Sequence, residues 1–405
     1  MAERRGQDVR HTDIAIVGGG LAGSAAAAML GRAGIDTVLV DPHDVYPPDF
    51  RCEKLDEEQI GLLARTGLGD IVAAAATPYG VNWIVRGGRL TDRRPTAQIG
   101  ILYDRLVNTV RAAIPVAVTV ITGKAAAIAT SPDRQTLTLA TGEAISARLI
   151  ILANGLNAAL RRNFGMDRQV ISANHSISIG FDMAPAGRPA FNFPALTYVP
   201  EDAASRAAYL TLFPAAAAMR ANLFVYRDAN DPWFSAMRNH PIETLFAALP
   251  GLKAFTGEAT VDGPVRIRPA DLYVTTGIKR PGIVLVGDAY STSCPAAGTG
   301  TGKVFTDVER LCHRYIPEWL ASPGMAADKI AAFYADEIKA AYEVRCRQRA
   351  FRVRDLAINP GITWEARRRL RFAAHLGRGF ARRAHHFVTG RATGLAPATA
   401  GSSRA

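Results

Sequence analysis

Two glycine-rich segments hold the residues whose types and spacing can do chemistry. In the first, Gly18, Gly20 and Gly23 stand at GxGxxG spacing, Leu21 and Ala22 open a helix inside it, and Asp41 closes the next apolar run. Gly18 permits a tight turn, Gly20 lets the backbone approach a pyrophosphate, and Gly23 lets the helix pack on the preceding strand. The helix start offers free N–H groups and a positive dipole end to phosphate oxygens. Asp41 stands where a carboxylate accepts hydrogen bonds from an adenosine ribose. This motif binds an ADP moiety and leaves open whether that belongs to FAD or NAD. In the second segment, Gly287-Asp288 ends a strand, Pro295 follows, and Gly298, Gly300, Thr301 and Gly302 enter a helix. Asp288 can accept hydrogen bonds from a polyol such as a ribityl chain. The helix start places N–H groups against an electron-poor ring that becomes anionic on reduction. A flavin needs this and a nicotinamide does not. Thr301-Gly302-Lys303 is not a phosphate-binding P-loop, which requires Gly at 297 and Ser or Thr at 304, where Ala297 and Val304 stand.

Periodicity gives the elements that must position these residues. Ile14–Val17 reads as a buried parallel strand, 21–33 as a helix and Thr37–Val40 as a second strand. Leu55–Thr66 and 99–113 read as helices, 81–90 as a hairpin around Gly87-Gly88, and 116–122 as a further strand. Residues 125–148 predict a small antiparallel meander, with Leu149–Leu152 a separate strand returning to the buried sheet. Four alternating strands lie between 170 and 275, together with a helix over 231–251. The buried sheet resumes at Gly282–Val286, and helices follow at 303–316, 326–356 and 363–387. The fold class is α/β: a parallel dinucleotide-binding sheet with an inserted antiparallel sheet-plus-helix subdomain. The expected division is a discontinuous cofactor domain (12–80, 99–168 and 276–358), a substrate subdomain (81–98 and 169–275), a basic C-terminal helix (359–390) and a disordered tail (391–405).

Across 405 residues the composition is that of an ordinary globular chain, 48% hydrophobic and 21% charged. The first dozen residues are polar and no apolar stretch approaches a membrane span, so a cytoplasmic location is expected. Cys52, Cys294, Cys312 and Cys346 show no paired spacing, which argues against a metal site, a disulfide framework or disulfide-reductase chemistry. The net charge of +12 is concentrated at one end. Residues 343–405 hold 14 arginines and three acids, a net of +11. There Phe372, Leu376, Phe380 and Phe387 form one apolar stripe, flanked by Leu370 and Ala373, among Arg367, Arg368, Arg371, Arg378, Arg382 and Arg383. The plainer reading is a helix packed on the cofactor domain with arginines in water. The sharper one docks it on an anionic membrane surface or an acidic carrier protein.

The two segments, with the helix between them, resemble the FAD-dependent aromatic hydroxylases typified by para-hydroxybenzoate hydroxylase. That family's second motif is met by Gly287, Asp288, Ala289, Pro295, Gly298, Gly300, Asp307 and Leu311, with Ser291 for its usual His and Gly302 for its usual Asn. By the same resemblance Arg51 and Arg105 contact FAD, Ala126 makes a backbone contact to adenine, and residues 333–345 match a tyrosine–glutamate–arginine helix. The family's Asp-Gly motif, associated with pyridine-nucleotide use, is Asn154-Gly155 here. Flavin-dependent halogenases share the fold, but their WxWxIP signature is absent. Geranylgeranyl-reductase-like flavoproteins share it too and stay in play.

The resemblance implies non-covalent FAD and a flavin hydroperoxide, formed with O2, that hydroxylates a small apolar aromatic or polyketide-like substrate. NAD(P)H or a separate reductase would supply electrons. The alternatives are an FAD-dependent reductase or dehydrogenase, and a basic docking protein that holds FAD structurally. The intact second motif argues against the docking protein, and no nucleic-acid partner is expected. No side chain is assigned as catalytic. Tyr290 and Cys294 stand in the flavin loop but serve equally as packing residues; His175, His240 and His313 are isolated. Of the aromatics Phe181, Phe191, Phe193, Tyr198, Tyr209, Phe213, Phe224 and Tyr226, most should be core and a few should line an apolar pocket.

Overall fold

The computed structural model describes residues 9–389 apart from Cys52 and Glu201, with side chains as far as Arg382. The segment 391–405, expected to be a disordered tail, lies outside the described residues.

The β-branched run after Arg10 forms the strand Arg10–Val17 at the heart of a seven-stranded sheet. It pairs in parallel with Thr37–Asp41 on one side and Ala144–Leu152 on the other. Thr119–Thr122 extends the first side. Alternation sends Ile14 and Ile16 to a core shared with the helices Leu21–Arg32, Tyr103–Ala112 and Gly300–Arg310. Ala15 and Val17 point to the opposite core. Burial on both faces explains why these strands read as unbroken apolar runs.

One boundary differs from expectation. The third meander strand and the return strand are a single element, Ala144–Leu152. Its first half pairs antiparallel with Gln135–Leu139, and its last three residues pair in parallel with Ile283–Leu285. No Gly or Pro interrupts 144–152, so the chain runs on from one ladder into the other.

The second seven-stranded sheet runs Ala259–Thr275, Arg168–Pro185, Ala218–Val225, Ala207–Ala215, Leu196–Val199, Val81–Arg86, Arg89–Pro95. Its pairs are antiparallel except Leu196–Val199 against Val81–Arg86. The strand Ala259–Thr275 has no counterpart in the sequence reading, because Gly263, Pro264 and Pro269 break its pattern. As an edge strand it tolerates proline, and it still pairs along most of Arg168–Pro185. Pro241 divides the expected 231–251 helix into Trp233–Asn239 and Pro241–Ala248. Asp336 likewise divides 326–356, its side chain capping Glu337–Ile358 by accepting from Lys339 N at 2.9 Å.

The arginine-rich helix Ile362–Thr389 packs on the hairpin strand Arg89–Pro95, not on the cofactor sheet. At Gly379 an added Cβ would lie 2.1 Å from Thr91 O, and Arg382 pairs with Asp92. One edge strand gives a narrow contact line, so the apolar stripe divides. Phe372 and Leu376 are half-buried, while Leu370 and Phe380 remain 71% and 63% exposed. The side chains of Phe387 and Arg383 lie outside the described residues. Among the described residues no helix is long and apolar enough to cross a membrane.

Candidate active site

The first glycine motif divides into two that shape the turn and one that faces open space. Gly18 has φ +106°, and a Cβ there would sit 2.6 Å from Ala153 O. A Cβ at Gly23 would lie 1.8 Å from Gly18 O. A Cβ at Gly20 would meet nothing nearer than Tyr46 Cε2 at 3.9 Å. Asp41 first serves the turn itself. Its carboxylate accepts from Gly19 N at 2.6 Å and His43 N at 2.9 Å, with Arg111 3.7 Å away. Each carboxylate oxygen keeps a second lone pair, and the residue lines the cavity described below.

The second motif is held from behind by a buried ion network. Gly287, at φ +60°, donates its N–H to Asp307 Oδ2 at 3.1 Å. Lys303 Nζ reaches Asp307 Oδ2 at 3.1 Å, and Lys339 Nζ reaches Asp307 Oδ1 at 2.9 Å. Both ammonium groups also touch Glu343, which accepts from Ser291 Oγ at 2.8 Å. Ser291, standing where the aromatic-hydroxylase motif it resembles has His, is thus tied inward. Burial alone pushes Glu343 up, but the Lys303 and Lys339 charges outweigh it and hold the group down at about 2. A depressed carboxylate contributes stability that is complete above its unfolded value and is lost as pH falls through its folded value. Glu343→Gln should therefore be less stable than wild type at pH 7, and the gap should close between about pH 4.5 and 2. Urea midpoints at stepped pH check this; a gap constant down to pH 2 would exclude the pairing as its source.

A cavity of about 1580 Å³ runs between the two motifs and onto the second sheet. That exceeds the roughly 300–1,000 Å³ of a single ligand pocket. At one end it is lined by Gly18, Gly20, Leu21, Ala22 and Asp41, with Ala126 nearby on its own strand. Asp288, Pro295, Gly298, Gly300 and Thr301 form the middle. Thr197, Tyr209, Asn222 and Phe224 of the second sheet form the far wall.

Arg51 and Asp288, expected to contact a cofactor separately, meet each other. Arg51 Nη1 donates to Asp288 Oδ2 at 2.8 Å and Arg51 Nε to Asp49 Oδ2 at 2.6 Å. Arg268, on the strand absent from the sequence reading, donates to Asp49 Oδ1 at 2.6 Å. The loop after the second strand is thereby fastened to the second motif and to the second sheet.

Several expected contacts fall elsewhere. Arg105 is exposed and does not line the cavity; its helix turns Leu106, Val107 and Val110 inward and brings Tyr103 to the cavity instead. Gly23, Gly287 and Gly302 frame the site without lining it; a Cβ at Gly302 would press on Tyr342 Oη at 2.0 Å. Cys294 is fully buried beside Ser176, and Tyr290 packs at a tilt against Tyr334 under Lys339; neither lines the cavity. His175 is buried against Phe351, and His313 faces Glu309 on the surface. Of the eight aromatics only Tyr209 and Phe224 line the cavity, their rings 5.0 Å apart. Among the described residues no cluster suits a metal ion.

The donor set and the open space fit FAD. Both helix starts, at Leu21 and at Gly300, lack a capping side chain and an acidic residue in the first turn. Anion oxygens are the natural partners of such termini. A Cβ at Gly298 would meet nothing within 4 Å, and at Gly300 only Ser293 Cβ at 3.7 Å. Asn154 lies beside Gly18 with both amide atoms buried and unpartnered, on the cavity wall. Gly18, Gly20 and Asn154 would hold the ADP portion, and Asp288 with the Gly300 helix start the ring portion.

Comparison with known proteins agrees. Residues 11–337 match the model of a family described as the FAD binding domain. The chain is 27% identical to the 3-demethoxyubiquinol 3-hydroxylase of Escherichia coli K12 over 325 residues, 74% of this chain and 78% of that one. It is 30% identical to a menaquinone reductase of Mycobacterium tuberculosis over 164 residues, 38% of this chain and 40% of the other. The crystal structure of p-nitrophenol 4-monooxygenase from Pseudomonas putida DLL-E4 superposes with a TM-score of 0.73 at 15% identity, covering 96% of this chain and all of the other.

Proposed function

The chain belongs to the FAD-binding-domain family and is an FAD-dependent oxidoreductase, and from that premise we propose that it is a monooxygenase that hydroxylates a small, largely apolar aromatic or polyketide-like substrate. The observation that carries this is the continuity of the cavity from the ADP end, past Asp288 and Gly298, to the Tyr209–Phe224 wall.

In this reading the protein contributes position and surroundings. The uncapped start of Gly300–Arg310 aims N–H dipoles at the ring position, and Arg51 fixes the Asp288 carboxylate beside it. Tyr209, held by its hydroxyl donating to Ala296 O at 2.7 Å, presents a fixed apolar face to substrate. When bound, FAD supplies electron transfer and oxygen activation. FAD occupies the ADP end, where Asp41 would in any case disfavour the 2′-phosphate of NADPH, so in this reading NAD(P)H is a transient visitor and not a tenant. Stopped-flow mixing should show slow flavin reduction by NADH or NADPH alone and acceleration with substrate or with a separate reductase; fast, substrate-independent reduction would overturn this. Turnover in labelled oxygen tests the main claim: one labelled oxygen atom should appear in the product.

A reductase reading has its own support, the identity shared with menaquinone reductase. It predicts a product changed by two hydrogens and free of label. Docking of the C-terminal helix on an anionic membrane or an acidic carrier is supported by the exposed Leu370 and Phe380 beside its arginines.

A further inference from the structure

The far mouth of the cavity is ringed by arginines from three places in the chain. Arg86 and Arg94 come from the hairpin strands, Arg349 from Glu337–Ile358, and Arg371 from Ile362–Thr389 alongside Phe372. Arg368, also at the mouth, is spent on the carbonyls of Leu356 and Asn359. By contrast Arg86, Arg94 and Arg371 form no ion pair with any described residue, and Arg86 Nε is buried with no hydrogen-bond partner. The nearest acid on the hairpin, Asp92, is already engaged by Arg382.

The cations act on one another. Burial and then the Arg371 charge bring Arg86 down to about 10. His375, one turn beyond Arg371, is pushed down to about 4 by burial and by Arg86, Arg371, Arg378 and Arg94. The charges that act most strongly on these two groups are positive. Repelling guanidinium groups at a half-buried mouth are an arrangement that a bound oxyanion relieves, and arginine's fork suits carboxylate and phosphate oxygens.

We propose that Arg86, Arg94 and Arg371 form an oxyanion subsite that holds a carboxylate or phosphate group of the substrate at the mouth, while its apolar body extends toward the Tyr209–Phe224 wall. This rests on the monooxygenase reading and narrows its substrate class to amphipathic anions. Length and charge both enter: a neutral aromatic compound fills the wall and leaves the arginines unpaired.

The test is binding to the full-length, FAD-loaded protein, with 1-naphthyl phosphate, 1-naphthoate and neutral 1-naphthol as probes, followed by calorimetry and by the flavin absorbance change. The anionic probes should bind about tenfold or more tighter than naphthol in low salt, the worth of one charge-assisted hydrogen bond. In 0.5 M salt the advantage should shrink. Arg86→Gln with Arg371→Gln should abolish the preference and leave FAD content unchanged. Arg94→Gln and Arg371→Gln singly, both at exposed positions, should each reduce it without touching the fold. Equal binding of the three probes, or a preference that survives the double variant, overturns the proposal. So does a preference shown only for NADPH over NADH, which assigns the arginines to the donor's phosphates. Sedimentation with phosphatidylglycerol but not phosphatidylcholine vesicles, without naphthyl phosphate binding, assigns them to a lipid surface and overturns it too. Label incorporation from oxygen is scored separately, so failure of the anion preference and failure of the monooxygenase reading are distinguishable.

Discussion

Gly20→Val is expected to give a folded protein that holds flavin poorly. Gly20 has φ −72° and ψ −171°, extended backbone that valine adopts readily. Nothing in the protein lies within 3.9 Å of the new Cβ, so the fold has no reason to object. The isopropyl group instead occupies the space before the uncapped Leu21–Arg32 helix, where a pyrophosphate must touch the backbone. Overpacking of that kind costs about 1–3 kcal/mol, a roughly 5- to 150-fold loss of FAD affinity. Gel filtration should deliver a paler variant, depleted of FAD, whose apoprotein melts at the same temperature as the wild-type apoprotein. Gly23→Ala is the contrast: its Cβ, 1.8 Å from Gly18 O, forces helix and turn apart, so soluble yield should fall before flavin binding can be judged. A yellow Gly20→Val protein with wild-type FAD affinity would remove the first motif from the cofactor site.

Arg220→Ala should be the most damaging substitution for stability. Glu53 is 3% exposed and accepts from Arg220 Nε at 2.7 Å, Arg220 Nη2 at 3.0 Å and Asn222 Nδ2 at 2.8 Å. Truncation leaves a buried carboxylate with one amide donor, a loss of about 3–5 kcal/mol. At about 1–2 °C per kcal/mol for a chain of this length, melting should drop by roughly 3–10 °C. Adding Glu53→Gln should recover much of that, because the stranded charge and not the missing arginine carries the penalty. Asp182, the other partner of Arg220 at 3.0 Å, has a side chain 40% exposed, so Asp182→Asn should change stability by less than about 1 kcal/mol. If Arg220→Ala melts like wild type, or the double variant is no better than the single, the clamp is not what holds this loop to the sheet.

The glycine motifs were legible because spacing reports a backbone constraint. Gly18 and Gly23 would clash if substituted, Gly20 and Gly298 leave room, and that distinction emerged only with the neighbours in place. The parallel sheet was legible from unbroken apolar runs. The strand Ala259–Thr275 was not, since its prolines and glycine speak against a strand until its place at an edge is known. The family pattern says nothing of how its helix faces the core; the burial of Leu106, Val107 and Val110 turns Arg105 outward. Pairings such as Arg51 with Asp288, 237 residues apart, have no signature in either segment alone. The C-terminal arginines were visible as charge, but their presence at a cavity mouth depends on Gly379 seating the helix on Thr91.

The shared strand Ala144–Leu152 also has a consequence for how the chain is made. Its last residues pair in parallel with Ile283–Leu285, some 130 residues later. At a synthesis rate of about 5–20 residues per second, that partner leaves the ribosome roughly 7–27 seconds after the strand itself. During that interval Ile150–Leu152 has an unpaired side, and the whole second sheet emerges before it is covered. A nascent chain with an apolar edge open for that long is a natural client for a chaperone. It also explains why truncations ending before Val286 are poor candidates for an isolated cofactor domain.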